Sequence, residues 1–269
     1  MISLQLDDSV FRYKKFNYPT GETHIDLNAI ENKPLSWWSD IKRVCILFDY
    51  EKDSEIIELC LLKNALDGAV NYDLIVLEMP YVPFSREDRR RDFNSFSLKW
   101  FCGLINNLNF NSVTIYDAHS DVTTALIDNI VEVPQETLVY EKIQNEIDKD
   151  TIIICPDSGA LKKIIKIQNK IFREKEIKLE VVQCTKNRCV ETGAITNIIV
   201  HSNYIGDKHC LIIDDICDAG GTFYGIAKEL NHLGVKYISL FVTHGFFTKG
   251  KEILNRHINE FYIIKDRSL

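Results

Sequence analysis

Seven short runs of apolar, largely β-branched residues recur along the chain: VCILF (44–48), LIVLE (74–78), SVTIY (112–116), TIIIC (151–155), LEVVQC (179–184), CLIID (210–214) and ISLFV (238–242). Helix-like segments separate most of them, at 53–69, 95–109, 137–148, 159–175 and 221–234. A strand that is apolar at nearly every position is buried on both faces, and helices packed on both sides of a parallel sheet bury it in that way. The predicted class is therefore α/β. The runs are too many for one small sheet, and the pattern breaks near VEVPQET (131–137). Two domains are expected, 1–135 and 136–269, each a mainly parallel sheet flanked by helices. No residue-level repeat relates the halves, and no segment is of low complexity.

The 269 residues, 45% of them hydrophobic, suffice for that much core. A net charge of −7 argues against a global electrostatic grip on nucleic acid or on an anionic membrane. No apolar run approaches the roughly 20 residues that span a bilayer. The opening MISLQLDDSVFRYKK lacks the basic-then-apolar order of a signal peptide. Eight cysteines are scattered without a CxxC pair, and Cys45, Cys155, Cys184 and Cys210 lie in apolar runs, as buried small hydrophobes do. A cytoplasmic protein with reduced thiols is expected, without nucleic-acid or membrane partners.

Open α/β sheets bind ligands beyond the C-terminal ends of their strands. Five polar stretches stand there: MPYVPFSREDRRRD (79–92), DAHSD (117–121), PDSGALKK (156–163), TKNR (185–188), and the acids and glycines that end LIIDDICDAGGT (211–222). Loops are polar anyway, so the residue types carry the information. In LIIDDICDAGGT, Gly220 and Gly221 let backbone N–H groups converge, and the helix that follows adds its positive end, which makes a nest for a phosphate. Thr222 is placed to cap that helix. Asp214 and Asp215 end the strand beside it. Carboxylates repel a phosphate, but they accept sugar hydroxyls or hold the Mg²⁺ of a phosphorylated ligand. A ribose phosphate satisfies both halves of the stretch. The plainer alternative, a strand-to-helix turn with a capping aspartate, would suit a lone Gly-Gly better than this ordered set. REDRRRD (86–92) is by composition a solvated, self-paired turn, and its position after a buried strand favours binding. His119 gains interest only because Asp117 and Asp121 flank it.

LIIDDICDAGGT resembles the ribose-phosphate signature shared by type I phosphoribosyltransferases and ribose-phosphate diphosphokinases. The other stretches resemble the diphosphokinases alone. SREDR is similar to their ATP-contacting Ala-Arg-Gln-Asp-Arg, with Arg86, Asp88 and Arg89 matching and Glu87 in place of Gln. DAHSD resembles Asp-Leu-His-Ala, which gives His119 a part in binding Mg-ATP. CPDSGA resembles Ser-Pro-Asp-x-Gly-Gly near the metal, with Asp157 and Gly159 matching. TKNR resembles the start of a mobile catalytic loop, whose Lys and Arg fall on Lys186 and Arg188. YPTGE (18–22) echoes Phe-Ser-Asp-Gly-Glu, a segment that reaches a neighbouring subunit's adenine; Glu22 matches and Tyr18 stands for Phe.

The resemblance implies two type I phosphoribosyltransferase-like domains, the first on the ATP side and the second on the ribose-phosphate side. It implies an Mg²⁺-dependent transfer of diphosphate from ATP to ribose 5-phosphate, in a homo-oligomer. Implied catalytic residues are Lys186 and Arg188; ATP contacts are Arg86, Glu87, Asp88, Arg89, Tyr18, Glu22 and His119. Asp214, Asp215, Asp218, Ala219, Gly220, Gly221 and Thr222 would hold the acceptor, and His119 and Asp157 the metal. Two departures concern the acceptor. Ala219 stands where most members carry Thr, which removes a hydroxyl donor to the 5′-phosphate. The chain ends at INEFYIIKDRSL, where the resembled enzymes continue for another strand and helix, as in a C-terminally shortened member. A capped acceptor such as ADP-ribose is the alternative substrate; a phosphoribosyltransferase and a non-catalytic regulatory relative are the alternatives of other classes.

Overall fold

The structure, a computed structural model, describes residues 1–7, 9–27, 41–90, 92–188, 195–202 and 204–268, with the backbone alone at Arg188 and Ile195. It divides into two units, Met1–Val133 and Pro134–Leu269.

In the first unit, strands β1 (Ile2–Leu6) and β2 (Ser9–Phe11) precede a hairpin of β3 (Lys14–Asn17) and β4 (Thr23–Asp26). Then follow β5 (Ile41–Phe48), α1 (Ser54–Ala69), β6 (Tyr72–Glu78), α2 (Ser97–Asn107), β7 (Ser112–Tyr116), α3 (Asp121–Leu126) and β8 (Ile130–Val133). The sheet order is β2-β1-β5-β6-β7-β8. Strands β5 to β8 are parallel, while β1 runs antiparallel to both β5 and β2. The parallel strands thus lie in sequence order, without a reversal. Val44, Ile46, Phe48, Ile75 and Leu77 of the sheet pack on Leu59, Leu62 and Leu66 of α1 and Phe101 of α2 in one core. Glu58 of α1 ties down the start of the β3–β4 hairpin, accepting hydrogen bonds from Tyr13 Oη (2.7 Å) and Lys15 Nζ.

The second unit comprises α4 (Gln135–Ile143), β9 (Thr151–Cys155), α5 (Leu161–Lys175), β10 (Glu180–Arg188), β11 (Ile195–Val200), β12 (His209–Cys217), α6 (Gly221–His232), β13 (Tyr237–Gly245), a 3-10 turn Leu254–Arg256 and β14 (Glu260–Asp266). The sheet order is β11-β10-β9-β12-β13-β14; all neighbours are parallel except β10 and β11. From β9 the chain moves first to β10 on one side, then to β12 on the other. That reversal opens a crevice beyond the C-terminal ends of β9 and β12, where flanking loops diverge over opposite faces. All five residues of β9 are buried, as a central parallel strand requires. On α5, Ile164, Ile167 and Ile171 recur at helical spacing and are wholly buried. Each such side chain contributes about 1.5–3 kcal/mol on leaving water.

All seven predicted strands coincide with observed ones, apart from Leu179, which precedes β10; three of them, β10, β12 and β13, continue past the predicted ends. TKNR belongs to β10, where Lys186 pairs with Ile198 and Asn187 with Asn197 across to β11. Asp214 and Asp215 lie within β12, which runs on to Cys217 because β13 continues beside it to Gly245. Cys155, Cys184 and Cys210 are buried, and Cys45 is half-buried. Burial pushes the Cys155 thiol up to about 11 and those of Cys184 and Cys210 to about 12, so they remain neutral, weakly reactive fillers. No described helix is long and apolar enough to cross a membrane.

Candidate active site

The second unit gathers its polar residues where the sheet order reverses. Strand β9 pairs with β12 only as far as Ile154 and Ile212. Beyond that point the β9 chain turns away through Pro156–Ala160, and β12 carries Asp214 and Asp215 past it. Asp157 is fixed by its own loop: its Oδ1 accepts the N–H groups of Gly159 (2.8 Å) and Ala160 (3.1 Å). Its Oδ2 pairs with Lys186 Nζ. Burial alone would raise the Asp157 carboxyl, but the Lys186 hydrogen bond and charge, with the two N–H donors, hold it below the usual carboxylate range.

Asp214 lies at the other extreme. Its Oδ1 accepts the Asp215 N–H at 2.9 Å. Burial comes first, and then the charges of Asp215 and Asp157, in pushing its carboxyl well above the ordinary value. Asp215 is only 8% exposed. Its Oδ2 lies 3.6 Å from Lys163 Nζ, on the first turn of α5. Three carboxylates and two lysines therefore line one crevice, an arrangement suited to hydroxyl groups.

The glycine turn follows. Gly220 has φ +80° and is the N-cap of α6, a conformation that disfavours any side chain. A Cβ there would also meet Leu254 Cδ1 at 2.9 Å. The first N–H groups of α6 have no intrahelical acceptors, which leaves them to an anion. The expected cap at Thr222 is not formed: Thr222 lies inside the helix, and no side chain caps its N-terminus. A strap from β13 closes over the turn. Phe246 N–H donates to Cys217 O (2.8 Å), and Thr248 donates its N–H to Asp218 O (3.1 Å) and its hydroxyl to Asp218 Oδ1 (2.8 Å). Asp218 is thus committed to this strap, while Ala219 is exposed.

In the first unit, the loops after β6 and β7 lie side by side. Tyr116 N–H donates to Pro80 O at 3.0 Å, and Phe84 takes φ +62° where the longer loop turns. Arg86, Glu87 and Arg89 are exposed and Asp88 half-buried; Arg89 Nε lies 3.5 Å from Asp88 Oδ1. His119 is exposed, after a buried Asp117 in the left-handed region (φ +51°). At the hairpin tip Tyr18 is 49% exposed and stands edge-on to Phe16, with ring centroids 5.2 Å apart. Glu22 accepts a hydrogen bond from Thr20, which lowers its carboxyl. A cavity of about 920 Å³ also opens beside α2, with Arg90, Lys99 and Trp100 in its wall. It holds no carboxylate and none of the predicted residues.

Arg188 keeps its backbone place at the end of β10, but its side chain and residues 189–194, part of the mobile loop expected to start at TKNR, lie outside the described residues. Lys163 was not singled out from the sequence. A signal was present: α5 has no acid in its first turn and begins Leu-Lys-Lys, although the helix dipole disfavours cations there.

The family model for the phosphoribosyl transferase domain matches residues 127–262, just over half of the chain. The ribose-phosphate pyrophosphokinase of Mycoplasma genitalium is 26% identical over 248 residues, which cover 88% of this chain and 68% of that protein. The enzyme of the same name from Thermococcus kodakarensis is 28% identical over 214 residues, 78% of this chain and 72% of its own. Among solved structures, phosphoribosylpyrophosphate synthetase from Mycobacterium smegmatis superposes with a TM-score of 0.71 at 20% identity, over 89% of this chain and 74% of that one. This last likeness bears on the fold.

Proposed function

Because the chain belongs to the phosphoribosyl transferase domain family, among the ribose-phosphate pyrophosphokinases, we propose that it transfers the β,γ-diphosphoryl group of ATP to the anomeric hydroxyl of ribose 5-phosphate. The products are phosphoribosyl pyrophosphate and AMP. The observation that carries this reading is the crevice of the second unit, where a phosphate nest adjoins a carboxylate pair and Lys186.

In this reading, Asp214 and Asp215 accept the ribose hydroxyls, while the N–H groups of Gly221 and Thr222 receive the 5′-phosphate. The anomeric oxygen attacks the β-phosphorus in line with the bond to the α-phosphate, which breaks as AMP departs with the bridging oxygen. Such a transfer depends on positioning and on neutralising charge at the phosphoryl oxygens. Lys186 exchanges Asp157 for those oxygens, and Arg188 joins it. ATP is held by the first unit, through Arg86, Glu87, Asp88, Arg89 and His119. Tyr18 and Glu22, exposed at a hairpin tip, serve the nucleotide of a neighbouring copy in a homo-oligomer.

Mg²⁺ fits the donors present. Among the described residues no three metal-type side chains converge. Mg²⁺ delivered with a triphosphate, however, takes only one or two protein carboxylates and keeps its waters. Asp157 offers a carboxylate beside Asp214, and it is fixed in place by the N–H groups of Gly159 and Ala160. Asp157 would hold the ion, and His119 would orient the Mg-ATP. When bound, the ion neutralises charge on the triphosphate.

A second acceptor remains, a capped ribose 5-phosphate such as ADP-ribose, favoured by one observation. Ala219 is exposed on the turn that in this reading holds the 5′-phosphate, and it offers no hydroxyl, while a phosphodiester demands less from donors than a monoester. Incubation with Mg²⁺, ATP and either acceptor, followed by mass spectrometry, tests both. AMP together with an acceptor heavier by two phosphates is expected; ADP as the nucleotide product would count against the reading.

A further inference from the structure

We propose that Lys163 is a positioning residue of the acceptor site, holding Asp215 in place for the ribose hydroxyls; this rests on the reading of the crevice given above. The pair is 3.6 Å apart from Lys163 Nζ to Asp215 Oδ2, with side-chain exposures of 24% and 10%. A carboxylate that deep is costly without a nearby cation. Lys163 itself sits where a cation is disfavoured, in the first turn of α5, so its helix gains nothing from its charge. A residue that breaks a local rule marks a site whose requirement lies elsewhere.

Lys163 also spans the reversal of the sheet. It belongs to the helix that leaves β9, whereas Asp215 belongs to β12. The backbone N–H of Asp215 separately donates to Asp214 Oδ1. Lys186, in contrast, binds Asp157. The two lysines thus divide the work: Lys186 pairs with the carboxylate on the loop after β9, and Lys163 with a carboxylate on β12. A lysine that acts through Asp215 should alter acceptor recognition while leaving the nucleotide alone.

The test compares Lys163→Gln and Lys163→Arg, alone and with Asp215→Asn. Acceptor binding is measured by calorimetry with ribose 5-phosphate and with ADP-ribose, and KM and kcat by AMP release. Folding of each variant is checked by thermal melting. Lys163→Gln should weaken the preferred acceptor about tenfold to a hundredfold, with the KM for ATP unchanged. Lys163→Arg should restore most of that loss, and in the Asp215→Asn background Lys163→Gln should add little. Equal shifts for ATP and acceptor, full additivity with Asp215→Asn, or no rescue by Arg would overturn the positioning role. A wild-type chain that binds neither acceptor would remove the acceptor reading and Lys163's role together, whereas acceptor binding unaltered by Lys163→Gln would remove Lys163 alone.

Discussion

The two units start from the same sequence grammar and end with different sites. Each builds parallel strands with an antiparallel neighbour at one end. In the first unit β5, β6, β7 and β8 lie in sequence order, whereas in the second the order reverses between β9 and β12. Reversal makes the loops of two central strands diverge and leaves a crevice between them. The second unit fills it with paired charges, Lys186 with Asp157 and Lys163 with Asp215. Without a reversal, the first unit sets its loops side by side, and Arg86, Glu87, Arg89 and His119 face solvent. The reversed order thus accompanies a crevice of paired charges, and the unreversed order accompanies loops whose charged residues are exposed.

That contrast is most exposed to mutation at Lys186. If the second unit carries the transition-state charge, Lys186→Ala lowers kcat by about 10²–10³. A near-normal kcat in steady-state assays would take Lys186 out of the mechanism. Division of ligands between the units comes next. Asp214→Asn with Asp215→Asn should abolish measurable acceptor binding in calorimetry and spare ATP, while Arg86→Ala should weaken ATP about tenfold and spare the acceptor. A variant that impairs both ligands equally would break the comparison.

Within the second unit, Ala219→Thr restores a hydroxyl on an exposed position of the turn. A hydrogen bond to a charged group is worth about 1.5–3 kcal/mol, so kcat/KM for ribose 5-phosphate over ADP-ribose should rise about tenfold to a hundredfold. A ratio that stays constant would place acceptor choice elsewhere. The smallest effect concerns stability. Asp214 has a raised folded-state pKa, so its favourable contribution is complete below the ordinary carboxylate value and is lost as pH rises through the folded one. Asp214→Asn should therefore raise the melting temperature at pH 8, by a margin that shrinks towards pH 4. Asp157 is lowered, so its contribution is present above the ordinary value and is lost as pH falls through the folded one. Asp157→Asn should lower the melting temperature at pH 8. Melting curves that shift in the same direction for both variants would contradict this electrostatic contrast.

The α/β class was legible because buried parallel strands are apolar at nearly every position, as TIIIC shows. The amino-terminal strands were not: β2 has three residues and β3 four exposed ones, too short for periodicity to register. TKNR looked like a loop because its residues are polar, yet an antiparallel partner at a sheet edge accommodates polar side chains. Asp214 and Asp215 remain in a strand for a similar reason, since β13 supplies the ladder. The acids and glycines of the crevice were visible as residue types. The Lys163–Asp215 pair was not, because its partners lie 52 positions apart and only the reversal of the sheet brings them together.

The central claim is that two phosphates move as one piece onto a ribose held by the second unit. Supplying ATP labelled at the β-phosphorus, with Mg²⁺ and ribose 5-phosphate or ADP-ribose, tests it most directly. The account predicts unlabelled AMP and an acceptor that carries the labelled β-phosphate joined to the γ-phosphate. Transfer of the γ-phosphate alone, leaving the label in ADP, would contradict it.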